Sequence, residues 1–278
     1  MITSIGRPLD RNYASNRMVL RLMPLAGVVA GVVALVRGWS LLHIVGGVVA
    51  GALSAFGGWA LARELAPDHN AAAFASMALA FTTFTVAEPL SFLVLFTTMF
   101  LVRIVNRTAG PAARVGDSLV VSGLAIAVVY VTKSPLFGVV AALAFALDAV
   151  LRSAIRRQWL FSVACLVVAA TWFAHYGFGP AVSPGMGVRM IGFLVVVALA
   201  FAVAISLTRT VESRADVGGD RLSVSRVRAG MLIALLVALL AFLLGRPGFA
   251  LTAAVWASLA GVAGTALLTP LWRPRRTT

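Results

Sequence analysis

Ten apolar segments, each bounded by charged or turn-forming residues, occupy most of the chain. A helix needs about 20 residues to cross the hydrocarbon core of a bilayer, with roughly 17–25 as the usual range. The chain is 61% hydrophobic and 12% charged, whereas a soluble domain carries about 45–50% apolar and about 25% charged residues. These features exclude a soluble enzyme and predict an all-α, polytopic transmembrane helical bundle that forms a single domain over residues 1–278. The predicted segments are 22–36, 41–62, 71–87, 89–102, 118–132, 135–151, 159–175, 189–208, 229–245 and 249–271.

Two of these segments are short for a membrane span. Segments 89–102 and 118–132 contain 14 and 15 residues, which corresponds to about 21–23 Å of helix at about 1.5 Å per residue. Such helices can gain length from flanking residues whose long side chains reach the interface, or they can thin the bilayer locally. Alternatively, the pair is re-entrant. The sequence therefore predicts about ten spans, with eight as the alternative.

Basic residues are distributed unequally between the two sides that ten spans create. Of the 23 lysine and arginine residues, 19 fall on the side that carries the N-terminus. Cytoplasmic loops of membrane proteins are enriched in lysine and arginine, so the distribution predicts five helical hairpins with both termini in the cytoplasm. Residues 1–21 then form a cytosolic leader, and residues 272–278 form a basic cytosolic tail. The predicted location of the protein is the inner membrane of a bacterial cell. The net charge of +14 thus indicates orientation rather than nucleic-acid binding.

Small residues four positions apart occur on the first two predicted helices. Gly27 and Gly31 form one such pair, and Gly47 and Gly51 form another. Pairs of this kind let helix backbones approach closely inside a bilayer, where apolar side chains gain little by leaving the lipid. The pattern predicts packing between the two helices of one chain, with a homodimer contact as the alternative.

Eight of the nine acidic residues fall on the cytosolic side, and four clusters there contain the candidate site residues. The first cluster, RELAPDHN at 63–70, combines Glu64, Asp68 and His69 with Arg63. Carboxylates and an imidazole can transfer protons, so the first three are candidate catalytic residues. Arg63 is a candidate substrate-binding residue, because a guanidinium group matches the geometry of a phosphate. The alternative is a capped turn in which Arg63 reaches toward the interface.

Two further clusters combine basic and polar groups. Asn106 and Arg107, in the sequence NRTAGP at 106–111, suit an anionic headgroup and are candidate substrate-binding residues. Asp148 lies four residues before Arg152, a spacing at which an acid and a base pair on a helix. Asp148 is therefore a candidate catalytic residue and Arg152 a candidate binding residue, with an interfacial ion pair as the alternative.

The fourth cluster is DVGGDR at 216–221, in which Asp216 and Asp220 are candidate catalytic residues. It resembles the second aspartate-rich motif of the intramembrane aromatic prenyltransferases. That resemblance implies aspartates that hold Mg²⁺ against a prenyl diphosphate in a bundle of nine spans. The sequence lacks the first motif of that family, and two predicted spans follow the motif where the family has about three. A solvated loop of mixed charge is the alternative. The residue spacing in the four clusters matches no metal-ligand pattern, so we expect no metal site and no cofactor.

Two wider resemblances concern the whole chain. Ten spans in 278 residues with both termini inside are similar to the layout of the drug/metabolite transporter superfamily, which implies two inverted five-helix repeats and transport. The sequences RELAPDHNAAAF, NRTAG and LDAVL resemble those of uncharacterised bacterial polytopic proteins, and this resemblance implies no function.

Three functions fit these features. The first is permease-like transport of a small molecule or lipid, which requires polar residues around a cavity near the middle of the bilayer. The second is a membrane-embedded enzyme that acts on a phosphorylated or prenylated lipid at the cytosolic face, and it requires the candidate acids to converge on one pocket. The third is a structural or partner-binding membrane subunit.

We expect the partners to be the lipid bilayer, a small-molecule or lipid substrate and a second copy of the chain, and not nucleic acid. The candidate cavity residues are Ser54, Thr82, Thr83, Thr85, Thr97, Thr98, Ser122 and Thr171.

Overall fold

A computed structural model of the protein describes residues 3, 5, 6, 9–86, 92–177 and 186–272, except the side chains of residues 241 and 269–272. Within these ranges the chain is helical and contains no strand, as the sequence predicts. Gly245 interrupts the last helix with backbone angles that are essentially restricted to glycine (φ 66°, ψ −149°). That helix therefore has two arms, α9a (224–244) and α9b (246–272), and the described residues form ten helices. The helices are α1 (Ala14–Val36), α2 (Leu41–Leu65), α3 (Asn70–Val86), α4 (Phe92–Asn106), α5 (Val115–Thr132), α6 (Leu136–Val150), α7 (Gln158–Tyr176), α8 (Val188–Leu207) and α9 (Val224–Trp272).

The ten helices correspond to the ten predicted apolar segments, but several ends differ. The predicted ends at residues 62 and 102 are wrong, because α2 continues to Leu65 and α4 to Asn106. Both predictions stopped at an arginine. In the structure Arg103 forms an ion pair with Glu64, so its charge is compatible with the helix end. The start of predicted segment 89–102 and the predicted basic tail beyond residue 272 lie outside the described residues.

Six helical stretches in the described residues are long and apolar enough to cross a membrane. α5 has 18 residues rather than the predicted 15, because it begins at Val115, where the Asp117 carboxylate accepts a hydrogen bond from the Arg114 backbone N–H. The helices α3, α4 and α6 are apolar but shorter, with 17, 15 and 15 residues. These apolar helices indicate a membrane protein. The six long stretches are α1, α2, α5, α7, α8 and Phe242–Leu268.

The interior of the bundle is built around α9. This helix packs against α2, α3, α4, α6 and α8, and 61% of the most apolar 18-residue window in its stretch Phe242–Leu268 is buried. In contrast, only 17% and 22% of the corresponding 18-residue windows of α7 and α8 are buried, and both helices expose large side chains such as Leu160 and Leu199. A contiguous apolar surface of this kind is unfavourable in water. It fits the hydrocarbon core of a bilayer.

Close helix contacts occur where the sequence predicts them. A Cβ atom on Gly27 of α1 would lie 2.9 Å from the Val48 carbonyl oxygen of α2. A Cβ atom on Gly51 of α2 would lie 2.5 Å from Ala30 Cβ of α1. The small-residue pairs therefore serve packing between two helices of the same chain, and a side chain at either glycine would push the helices apart.

Candidate functional site

Hydrogen bonds and ion pairs join several interhelical connections at one end of the bundle. We call this region the polar layer. It contains the described residues before α1 and the connections 66–69, 107–114, 151–157 and 208–223, together with the helix ends that adjoin them. The other end also has contacts between connections, as when Arg37 after α1 donates to the Thr85 carbonyl oxygen near the end of α3 (2.8 Å). The ten candidate site residues all lie in the polar layer.

Glu64 is fully buried in the polar layer and accepts hydrogen bonds from two other segments. Its Oε1 accepts from Arg103 Nε at 2.9 Å, and its Oε2 accepts from the Thr108 hydroxyl. Its backbone oxygen accepts from Asn106 Nδ2 at 2.9 Å. The same Arg103 donates through Nη1 to the Ile5 carbonyl oxygen at 2.9 Å. Glu64 therefore links the ends of α2 and α4, and Arg103 supplies a counter-charge to it.

Asp148 is the second fully buried carboxylate of the polar layer. Its Oδ1 accepts from Arg107 Nε and Nη2 at 2.9 and 2.7 Å and from Arg226 Nη1 at 2.7 Å. Its Oδ2 accepts from Gln158 Nε2 at 3.1 Å. Two guanidinium groups thus share one carboxylate, and the buried group carries a net charge of +1. Burying a charge without compensation is unfavourable, so an anion nearby would stabilise this arrangement.

The predicted pair between Asp148 and Arg152 does not form. The helix α6 ends at Val150, and the next residue, Leu151, is extended (φ −69°, ψ 165°). Arg152 therefore leaves the helix face on which Asp148 lies, and Arg107 and Arg226 take its place. Arg226 lies near the start of α9, beyond the four candidate clusters, and was not predicted as a site residue. Its distance along the chain from Asp148 leaves no local spacing that could have revealed the pair.

Asp68 and Asp216 hold the connection 208–223 against the first half of the chain. The Asp68 carboxylate accepts from the backbone N–H groups of Glu212 and Ser213 at 2.9 and 2.7 Å. Burial alone would raise the pKa of Asp68, but the hydrogen bonds from Ser213 and Glu212 outweigh it and lower the pKa below its ordinary value. The backbone N–H of Asp216 donates to the Thr108 carbonyl oxygen at 3.2 Å. These contacts dock the connection in place.

A cavity of about 900 Å³ lies beside the Asp148 pair, and we call it the arginine cavity. Five arginines line it: Arg107, Arg152, Arg209, Arg221 and Arg226. In the described part of the chain, the guanidinium groups of three of these, Arg152, Arg209 and Arg221, form no hydrogen bond or ion pair. Asp220 is the acidic residue among its lining side chains, and Asn106 also lines it. The cavity is strongly positive and offers several planar, two-pronged donors, which is the arrangement that binds phosphate groups.

A second cavity, of about 480 Å³, lies on the other side of the connection 208–223, and we call it the aromatic cavity. Tyr13, Phe56 and Trp59 line it together with polar residues. Ala215 and Leu222 of the connection line both cavities, so this connection separates them. Three candidate residues belong to the aromatic cavity: Arg63, Glu64 and Asp216.

The candidate catalytic acids therefore do not converge on one pocket. Glu64 and Asp216 line the aromatic cavity, and Asp220 lines the arginine cavity. Asp148 is buried behind Arg107 and Arg226, and Asp68 binds backbone amides, with the half-buried His69 beside it. Among the residues that the structure describes, no group of three or more histidine, cysteine, aspartate or glutamate residues could hold a metal ion.

The candidate transport residues within the helices bond mainly to helix backbone. The Ser54 hydroxyl donates to the Ala80 carbonyl oxygen at 2.9 Å, and Thr98 donates to Val94 at 2.7 Å. Thr82, Thr83, Thr85 and Ser122 also donate to backbone oxygens three or four residues earlier. The Thr97 hydroxyl is buried and has no partner among the described residues. None of these side chains lines either cavity.

Comparisons of the chain with protein-family models, curated proteins and solved structures find no match. The resemblances to the prenyltransferases, to the drug/metabolite transporters and to uncharacterised bacterial polytopic proteins therefore stay predictions. The geometry offers a positive cavity, in which three guanidinium groups form no hydrogen bond within the described part of the chain, next to a cavity with aromatic walls.

Proposed function

We propose that the protein is a permease-like membrane carrier that binds a phosphate-bearing small molecule or lipid headgroup in the arginine cavity. The observation that carries this proposal is the convergence of five arginines on one cavity of about 900 Å³. Ligand cavities in proteins have volumes of about 300–1,000 Å³, so the space suits a small phosphorylated molecule. Arginine binds phosphate through parallel N–H···O bonds that fix both distance and orientation.

The origin of the lining residues supports transport. Asn106, Arg107 and Gly110 come from the first half of the chain, and Arg152, Arg209 and Arg226 come from the second half. Carriers built from two half-bundles bind their substrate at the interface between the halves, where a rocking motion alternates access. When the hydrogen-bond donors of a site come from both halves, such a motion changes the distances between the donors.

The acids give less support to a catalytic role. Glu64 and Asp148 are engaged with arginines and Asp68 with backbone amides, which leaves Asp220 as the carboxylate that lines the arginine cavity. Asp220 is the observation that favours the second candidate, an enzyme that acts on a phosphorylated or prenylated lipid at the same face. Conversion of such a lipid by the purified protein, lost in Asp220→Asn, would favour this candidate over transport.

Flux into proteoliposomes tests the proposal. We would measure uptake of radiolabelled inorganic phosphate and glycerol 3-phosphate by the wild-type protein and by the triple variant Arg152→Gln/Arg209→Gln/Arg221→Gln. We expect saturable uptake by the wild type and none by the triple variant. The control is Arg189→Gln, an exposed residue at the start of α8 that lines neither cavity. Equal uptake of phosphate and glycerol 3-phosphate by the triple variant and the control would refute the proposal.

The finer topology is part of the same proposal. We propose ten spans in a bacterial inner membrane, with both termini and the arginine cavity on the cytoplasmic side. The positive-inside distribution of the sequence supports this orientation. Single cysteines in a Cys165→Ser background test it, because a membrane-impermeant maleimide added outside should label Gly187→Cys and leave Thr210→Cys and Ala112→Cys unlabelled. Labelling of Ala112→Cys from outside would favour eight spans.

A further inference from the structure

The charges at the arginine cavity do not balance. Five arginines line it, and two carboxylates oppose them: Asp220, which also lines the cavity, and Asp148, which is bound to Arg107 and Arg226. No other charged side chain occurs among the described residues that line the cavity. The arginines therefore exceed the carboxylates by three positive charges. A cleft lined by charges of one sign concentrates its field and attracts ligands of the opposite charge.

The five arginines divide into a buried set and an exposed set. Arg107 and Arg226 are held by their shared carboxylate and are 11% and 5% exposed, so they contribute charge more than hydrogen bonds to a ligand. Arg152, Arg209 and Arg221 are exposed, and their guanidinium groups form no hydrogen bond or ion pair in the described part of the chain. Each of these three groups can offer two parallel N–H donors to the oxygens of a phosphoryl group.

Part of the cavity wall is fixed by the backbone. Arg107 and Ser153 both line the cavity with left-handed backbone angles (φ 54° and 61°), which residues other than glycine rarely adopt. Arg107 Nη1 donates to the Ser153 carbonyl oxygen at 3.0 Å, which joins two of the connections. Helix α9 also begins at this cavity, because Val224 and Ser225 line it, and a helix N-terminus carries a partial positive charge. The fixed wall therefore adds positive potential to that of the exposed arginines.

We infer that the arginine cavity selects a diphosphate group over a single phosphate. The inference rests on the proposed function, because it defines the substrate class of the same site. A phosphate monoester carries about −1.5 to −2 charges at pH 7, and a second phosphoryl group brings the total to about −3, which matches the excess of three positive charges. A diphosphate also has more terminal oxygens, so the guanidinium groups of Arg152, Arg209 and Arg221 need not share the same ones. A soluble diphosphate ester and the diphosphate headgroup of a lipid have this chemistry in common.

Calorimetric titration with adenosine diphosphate and adenosine monophosphate tests the inference. The titrations use the full-length protein in mild detergent without divalent cations. The two probes share the nucleoside and differ by one phosphoryl group, so the ratio of their affinities isolates the contribution of that group. We expect the diphosphate to bind about tenfold more tightly or better, because it compensates about one further charge at the cavity.

Substitutions that change the excess charge should change this affinity ratio in opposite directions. Asp220→Asn removes a carboxylate from the cavity and should increase the preference for the diphosphate. Arg221→Gln removes a positive charge and should decrease it. The control is Arg189→Gln, which lines neither cavity and should leave the ratio unchanged. Thermal unfolding of each variant establishes that it is folded.

The inference and the proposed function can fail separately. Equal affinities for the two nucleotides, binding of neither nucleotide, or the same ratio in Asp220→Asn and Arg221→Gln would overturn the inference. The proposed function instead fails when proteoliposomes show no saturable uptake of phosphate or glycerol 3-phosphate. A parallel titration with dioleoylglycerol diphosphate and dioleoyl phosphatidate identifies the source of the ligand. Tighter binding of the lipid diphosphate than of adenosine diphosphate indicates a lipid headgroup, and the reverse indicates a soluble ester.

Discussion

Two buried carboxylates in the polar layer have different surroundings. Glu64 accepts hydrogen bonds from Arg103 and from the hydroxyl of Thr108, whereas Asp148 is shared by Arg107 and Arg226. The Glu64 group lies outside the arginine cavity, whereas Arg107 and Arg226 of the Asp148 group line it and exceed the charge of their shared carboxylate by one. A buried ion pair can thus serve to join helices, or it can hold an excess charge in place for a ligand. The comparison predicts that the two carboxylates respond differently to the same kind of substitution.

Removing the Asp148 charge should have the largest effect. Asp148→Asn leaves two buried guanidinium groups without a counter-ion, and breaking a buried pair of this kind costs about 3–5 kcal/mol. We expect the free energy of unfolding to fall by that amount in chemical unfolding of the protein in mild detergent. Added phosphate should recover part of the loss, because an anion in the arginine cavity would compensate the same charges. A variant as stable as the wild type would contradict the assignment of Asp148 as the shared counter-ion.

Removing the Glu64 charge should have a smaller effect. Glu64→Gln retains an acceptor for Thr108 and for Arg103 but removes the negative charge that Arg103 faces, so we expect a loss of about 1.5–3 kcal/mol, the range for a hydrogen bond to a charged group. The same unfolding measurement checks it. Phosphate should not rescue this variant, because Glu64 does not line the arginine cavity. If phosphate stabilised both variants equally, the distinction between the two carboxylates would be lost.

The exposed arginines of the cavity should affect binding and not folding. Arg209→Gln and Arg221→Gln remove guanidinium groups that have no protein partner in the described chain, so stability should change by no more than about 0.5 kcal/mol. Each should weaken phosphate binding about tenfold, which corresponds to about 1.4 kcal/mol. Calorimetric titration with inorganic phosphate measures the change, and Arg189→Gln is the control. A change in stability without a change in affinity would assign these residues a structural role.

Acid should loosen the connection 208–223 before it unfolds the bundle. The lowered pKa of Asp68 means that its hydrogen bonds stabilise the fold fully above its ordinary pKa of 3.8 and are lost as the pH falls through the lowered value. The backbone amides of Glu212 and Ser213 should therefore be protected from hydrogen exchange at pH 7. After correction for intrinsic rates, their exchange should accelerate as the pH falls below 3.8. Asp68→Asn should exchange faster at pH 7 and lose most of this pH dependence. Unchanged protection in the variant would show that other contacts hold the connection.

The sequence predicts the helices well, because apolar runs and turn residues are local signals. The helix ends at Leu65 and Asn106 could not be predicted from hydropathy alone, since they depend on the pairing of Arg103 with Glu64, 39 residues apart. The same limit explains the wrong pairing of Asp148 with Arg152. Helical spacing suggests that pair, but the chain turns at Leu151, and the actual partner Arg226 is 78 residues away. The sequence could locate the polar layer but not divide it into two cavities.

The three charged residues of the Asp148 group are synthesised in a fixed order. A nascent chain emerges from its N-terminus, so Arg107 and Asp148 are both synthesised before Arg226. Arg226 arrives later, and its contacts to Val105, Asp148 and Arg152 all involve residues already synthesised. Among the five arginines that line the arginine cavity, Arg226 is the last to be synthesised. The full positive charge of this cavity therefore requires the start of α9, and a chain that ends before residue 226 has one fewer charge there.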